Sequence, residues 1–263
     1  MCYCLDFDSP KSVRQSLFKY YPNKDYHRRA FRDRQLFLAK PRVLNDAFDT
    51  SHILIEPYKE FQKRVGWDKE MAARFESHGI CSFIEAPDVR NERMWAFYAS
   101  NYDGFAIEYN EAEFSKQEYA PLALCPVKYI KKPLNLDDKK LTIKINEVTI
   151  SQAQLDSDRI RTAEYYFKCL HLVKNKKVWG DEHEWRIIKA ERNPSSAKCE
   201  DKGDGYTLQI SDKAYRNLFI GYKVPHLLQC YLSKIAKNRG MGVFVVTPQI
   251  IRGEWSMSVN EIN

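Results

Sequence analysis

Between Ile80 and Tyr109 the chain changes hydrophobic period twice, and this stretch constrains the fold more than any other. Ile80-Cys81-Ser82-Phe83-Ile84 is an apolar run of strand length, and Pro87 closes it. From residue 91 to 102 the apolar residues Met94, Trp95 and Tyr98 return at helical spacing, and Gly104 ends that pattern. Phe105, Ile107 and Tyr109 then alternate with Ala106 and Glu108, as on a half-buried strand. The unit reads strand, helix, strand.

Further strand-like runs fall at residues 17–22, 36–39, 206–210, 218–222 and 243–246. Short helices are expected around residues 27–32, before Gly79, and from Pro225 to Gly240. A longer one, capped by Asp158, carries Ile160, Ala163, Phe167, Leu170 and Val173 on one face and ends in the basic turn Lys174-Asn175-Lys176-Lys177. Strands outnumber long helices and do not alternate with them regularly. The expected fold is therefore α+β, with a split, mostly antiparallel β core and flanking helices. With 263 residues, one domain spanning 1–263 is expected, and residues 111–157, where Lys and Asp crowd 131–140, read as an insertion or mobile segment.

Composition narrows the class. Hydrophobic residues at 44% and charged residues at 29% exclude wholesale disorder. No run approaches the roughly 18 apolar residues of a membrane span, the N-terminus lacks a basic-then-apolar leader, and a cytoplasmic protein without membrane contact is expected. The seven cysteines are odd in number and lack zinc spacing, which points to free thiols and no metal. The formal charge of +7 is clustered in Arg28, Arg29, Arg32 and Arg34, in Lys128, Lys131 and Lys132, and in Lys174, Lys176 and Lys177. Such clusters suit a nucleic acid or phosphate-bearing partner, although solvated surface explains charge runs as well.

One segment gathers chemistry. If residues 179–188 form a strand, alternation puts Glu182, Glu184 and Arg186 on one face and His183, Trp185 and Ile187 on the other. Like charges roughly 7 Å apart oppose each other's ionisation, and Arg186 counters that. Such a row can stabilise a sugar cation, as in cleavage of a glycosidic bond with nicotinamide leaving. A solvated charge ladder fits the same residues. Trp95 and Tyr98 offer faces for a nicotinamide or adenine ring, or else core packing. Asn45, Asp46 and Asp49 suit ribose hydroxyls, or else a side-chain-capped turn.

The blocks Lys19-Tyr20, Asn45-Asp46-Ala47-Phe48-Asp49, Cys81-Ser82-Phe83, Met94-Trp95-Ala96-Phe97-Tyr98 with Gly104-Phe105, and Trp179 with Glu182, Glu184 and Arg186 together resemble an uncharacterised bacterial domain family. Their order also resembles the ADP-ribosyltransferase superfamily. That resemblance implies NAD as co-substrate, Glu184 as the catalytic carboxylate on the ribose 2′-hydroxyl, and Glu182 as the acceptor-directing residue, with Arg186 beside them. It implies Ser82 and Phe83 in the middle motif and Lys19 or Tyr20 in the first. Cys81-Ser82-Phe83 stands where the superfamily has Ser-Thr-Ser, and the first strand lacks its Arg or His. The implied protein is a toxin or antiviral defence effector that modifies a nucleic acid or protein and has a neutralising antitoxin. An NAD glycohydrolase using the same site, and a non-enzymatic nucleic-acid-binding module, stay open. A metal nuclease is disfavoured by the lack of a compact ligand motif.

Overall fold

A computed structural model describes residues 4–6, 16–44, 46, 49, 55–56, 59, 62–63, 66–114, 122–132, 134–135, 142–145, 148–150, 163, 167, 170–189 and 199–262. The fold is α+β: strands pair mostly antiparallel, and short helices connect them. The chain divides into two compact units. The first takes Met1–Ser12, Phe37–Ser82 and Ala120–Thr207, and the second takes Val13–Leu36, Phe83–Tyr119 and Leu208–Asn263.

In the second unit, the strand Ser16–Pro22 runs antiparallel to Gly104–Tyr109, from Leu17 opposite Tyr109 to Pro22 opposite Gly104. Its first residues also pair with Ile84 to Ala86. Tyr215–Gly221 lies on the other side of Gly104–Tyr109, and the helix His226–Lys237 carries the chain over to Gly242–Ile251, which pairs parallel. Gly242–Ile251 and Glu254–Glu261 form a hairpin whose turn residues Arg252 and Gly253 both have positive φ, as a right-twisting two-residue turn requires.

The strand–helix–strand unit is present as Gly79–Ala86, Glu92–Tyr98 and Gly104–Tyr109. Asn91 starts the helix by accepting the Met94 N–H on its side chain. The helix ends at Tyr98, four residues before the hydrophobic pattern does, because Ser100, Asn101 and Tyr102 all take positive φ. Trp95, fully buried, stacks parallel to Tyr102 with centroids 5.4 Å apart and meets Tyr20 edge-on at 5.5 Å. The Tyr20 hydroxyl and the Trp95 indole N–H both donate to the Val89 carbonyl, at 3.1 and 2.9 Å. An aromatic core with its polar atoms satisfied holds this unit.

In the first unit, the strand Glu184–Lys189 pairs antiparallel with Leu122–Pro126, from Trp185 opposite Pro126 to Lys189 opposite Leu122, and also with the strand that begins at Gly79. Val173–Asn175 pairs parallel with Lys128–Ile130. The two pairs are tied by neighbouring amides: the Val127 N–H donates to the Glu184 carbonyl at 2.8 Å, and the Lys128 N–H to the Leu172 carbonyl at 2.7 Å. Residues 122–130, inside the stretch expected as an insertion, therefore bring Lys174 alongside Glu184.

Two expectations are corrected. Ala163, Phe167, Leu170 and His171 are helical, but Val173 and Lys174 belong to a strand, so Lys174 is not part of a solvated basic turn. The expected strand over 179–188 begins only at Glu184, because Lys176–Trp179 is a helical turn. Asn175 caps that turn by accepting the Lys177 N–H, and Gly180 ends it where a Cβ would lie 2.6 Å from the Lys176 carbonyl oxygen. Cys81, Cys125, Cys199 and Cys230 are free thiols, and among the described residues no helix is long and apolar enough to cross a membrane.

Candidate active site

Glu182, Glu184 and Arg186 do come together, although not by strand alternation. Glu182 precedes the strand, and its N–H donates to the Trp179 carbonyl at 3.0 Å. His183, exposed and at φ 49, takes a left-handed step between the two glutamates. Both carboxylates then reach one ammonium: Lys174 Nζ lies 3.0 Å from Glu184 Oε2 and 3.4 Å from Glu182 Oε2, and 4.3 Å from the centre of the Trp179 ring.

Arg186 ties the rest. Its Nε donates to Glu184 Oε1 at 2.7 Å, and Nη1 and Nη2 grip the Asp49 carboxylate at 2.7 and 2.6 Å in a bidentate pair. Nη1 also donates to the His171 carbonyl at 2.8 Å. Glu182, Glu184 and Arg186 are only 2%, 3% and 1% exposed. That burial rules out the solvated ladder. Charges held this far from water persist only when paired and hydrogen-bonded, as these are.

Electrostatics set the protonation states. Burial alone pushes the Glu184 carboxyl upward, but Arg186 and Lys174, with hydrogen bonds from Arg186 and the Ser82 side chain, hold it down at about 2. Burial likewise opposes the Arg186 charge, and Glu184 and Asp49 more than restore it. Burial raises the Tyr129 hydroxyl, whose oxygen accepts the Glu184 N–H at 3.0 Å. An ionised carboxylate with a fixed direction is the chemical product of this arrangement.

The other expected residues fall differently. Ser82 joins the cluster through Glu184. Asp49 joins it as the clamp on Arg186, with both its oxygens engaged. Asp46 supports that position by accepting the Asp49 N–H on its carbonyl at 2.9 Å. Asn45 lies outside the described residues. Lys19, Tyr20, Phe83, Trp95 and Tyr98 belong to the second unit. There Trp95 and Tyr20 are buried core residues, so of the two readings of Trp95, a ring platform or core packing, the structure shows core packing. Tyr98 packs half-buried on the same core, and Lys19 sits 5.6 and 5.9 Å from the Tyr21 and Phe83 ring centres.

Lys174, His171 and Tyr129 are the residues that sequence reasoning missed. A lysine in a basic run reads as surface, and only the strand-like Val173 before it and the capping Asn175 after it hint otherwise. Among the described residues no group of three or more His, Cys, Asp and Glu side chains is arranged to hold a metal.

Residues 94–187 match the model of a family described as a protein of unknown function, DUF2971. The match includes Lys174, Glu182, Glu184 and Arg186 and stops short of Asp49 and Ser82. Neither the curated proteins nor the solved structures contain a match to this chain.

Proposed function

We propose that the chain is an NAD-dependent ADP-ribosyltransferase in which Glu184 is the catalytic carboxylate. The observation that carries this reading is a buried glutamate kept ionised by Arg186 and Lys174 and hydrogen-bonded by Ser82. Each carboxylate oxygen has two acceptor sites, so Glu184 can receive the ribose 2′-hydroxyl while keeping its present partners. Its negative charge then faces the cation that develops at C1′ as the bond to nicotinamide breaks, and the bonding pair leaves with nicotinamide. An acceptor nucleophile closes the new bond to C1′ and passes its proton to Glu182.

The acceptor in this reading is a nucleic acid or protein drawn by the first unit's exposed Lys131, Lys132, Lys176 and Lys177. A cytoplasmic toxin or antiviral effector, held in check by an antitoxin, has such an activity. NAD hydrolysis is the second reading, favoured by the burial of Glu182 against Lys174, which suits a small acceptor such as water.

Purified protein supplied with NAD labelled in both halves tests all of this. Nicotinamide release is expected, falling by about 10²–10³ in Glu184→Gln. Label retained on macromolecules marks transfer, and free ADP-ribose marks hydrolysis. If the wild type releases no nicotinamide and instead binds nucleic acid with steep salt dependence, the enzymatic reading falls and the binding module replaces it.

A further inference from the structure

Within the first unit, His78 Nδ1 and His171 Nε2 lie 2.6 Å apart. Both side chains are buried, and Phe75 and Phe167 wall them in, with Phe75 stacked on the His171 ring at 4.9 Å. A contact of this length leaves no room for a metal between the rings, because zinc–nitrogen bonds of about 2.0–2.1 Å would hold the two nitrogens farther apart. One nitrogen therefore donates to the other.

His171 Nδ1 is buried and has no hydrogen-bond partner among the described residues. If Nδ1 carried the proton, a donor would be orphaned in the interior. If Nε2 carries it and donates to His78, the orphan is a bare lone pair, the lesser cost. Protonating that lone pair would bury an imidazolium between aromatic walls. Among the described residues the charges that act on the pair are cations, Lys189 on His78 and Arg186 on His171. The backbone carbonyl of the same His171 accepts from Arg186.

We propose that the His78–His171 pair is an acid-sensitive lock on the first unit: both rings stay neutral in the folded chain, and protonating the pair buries an imidazolium behind Phe75 and Phe167, which destabilises the unit and loosens the Arg186–Glu184–Asp49 cluster. The direction follows from linkage. Burial, then Lys189, lowers His78 to about 4, and burial, then His78 and Arg186, puts His171 well below its ordinary value. Unfolded histidines take up protons near 6.5, so between there and about 4 the unfolded state binds more protons than the folded one, and stability drops as pH drops.

The test compares unfolding midpoints of the full chain at pH 7 and pH 5. The wild type is expected to lose roughly 5–10 °C, with about half of that loss absent in His78→Gln. His27 in the second unit is also lowered to about 4 by burial and Lys19, so His27→Gln serves to subtract its share. Superimposable wild-type and His78→Gln profiles would overturn the proposal. Should His78→Gln fail to fold, imidazole NMR of the wild type decides: both rings neutral in the folded protein at pH 5.5 supports the lock, and an imidazolium there refutes it. Release of the cluster reads out separately, as faster exchange of the Glu184 amide at pH 5 than its intrinsic rate change allows.

Discussion

The two units solve the burial of polar atoms in opposite ways. In the second, Tyr20 and Trp95 are mostly hydrocarbon and spend one neutral donor each on a single carbonyl, that of Val89. In the first, Lys174, Glu182, Glu184, Arg186 and Asp49 bring full charges into the interior. An aromatic core gains stability from area alone, whereas a buried ion network roughly breaks even and punishes the loss of any member. A fold that keeps such a network needs another reason for it, and a preorganised reactive carboxylate is one.

The contrast is tested most severely by Arg186→Met. It leaves Glu184 and Asp49 buried opposite a lost cation, and the cost is expected at about 3–5 kcal/mol, read from urea unfolding. If the loss were under about 1 kcal/mol, water would have to reach the cluster, and the premise of a dry ionised site would fail. Tyr20→Phe makes the matching change in the second unit. Only one hydroxyl is removed and the Val89 carbonyl keeps its bond to Trp95, so about 1 kcal/mol is expected. Equal costs for the two variants would erase the distinction between the units.

The network also answers to acid. Glu184 has its folded value depressed to about 2, so its contribution is complete above the ordinary carboxylate value and is lost as pH falls from about 4.5 toward 2. Glu184→Gln is expected to flatten stability in that window while leaving the histidine window between 6.5 and 4 in place. A variant that changed both windows alike would show that the two act as one unit.

How far residues announced this depends on the kind of interaction. Ser16–Pro22, Gly79–Ala86 and Gly104–Tyr109 were legible because each lies within a few residues of a hydrophobic run with its own period and its own Gly or Pro stop. The site was half legible. Glu182, Glu184 and Arg186 are close in sequence, so any local geometry keeps them near one another. Alternation grouped three residues that do cluster, but not in the way it expected, since the left-handed His183 breaks the strand between them. Asp49, 137 residues from Arg186, and Lys174, hidden in a basic run, depend on long-range pairing that no local pattern carries.

The smallest effect belongs to the basic cluster at residues 28–34, which composition alone had made a candidate nucleic-acid surface. Its arginines are already engaged: Arg28 and Arg29 face Asp25, Arg32 faces Asp33, and Arg34 faces Asp212. Arg29 and Asp25 are an exposed pair one helical turn apart, 2.9 Å between Nε and the carboxylate, in full reach of water and salt. Arg29→Gln is therefore expected to cost only about 0.3–0.5 kcal/mol, and less still at high salt. Its effect on nucleic-acid retention at low salt is the sharper readout. A loss of retention much larger than one screened charge can supply would mean that these arginines leave their aspartates for phosphate, and would make the second unit a binding surface in its own right.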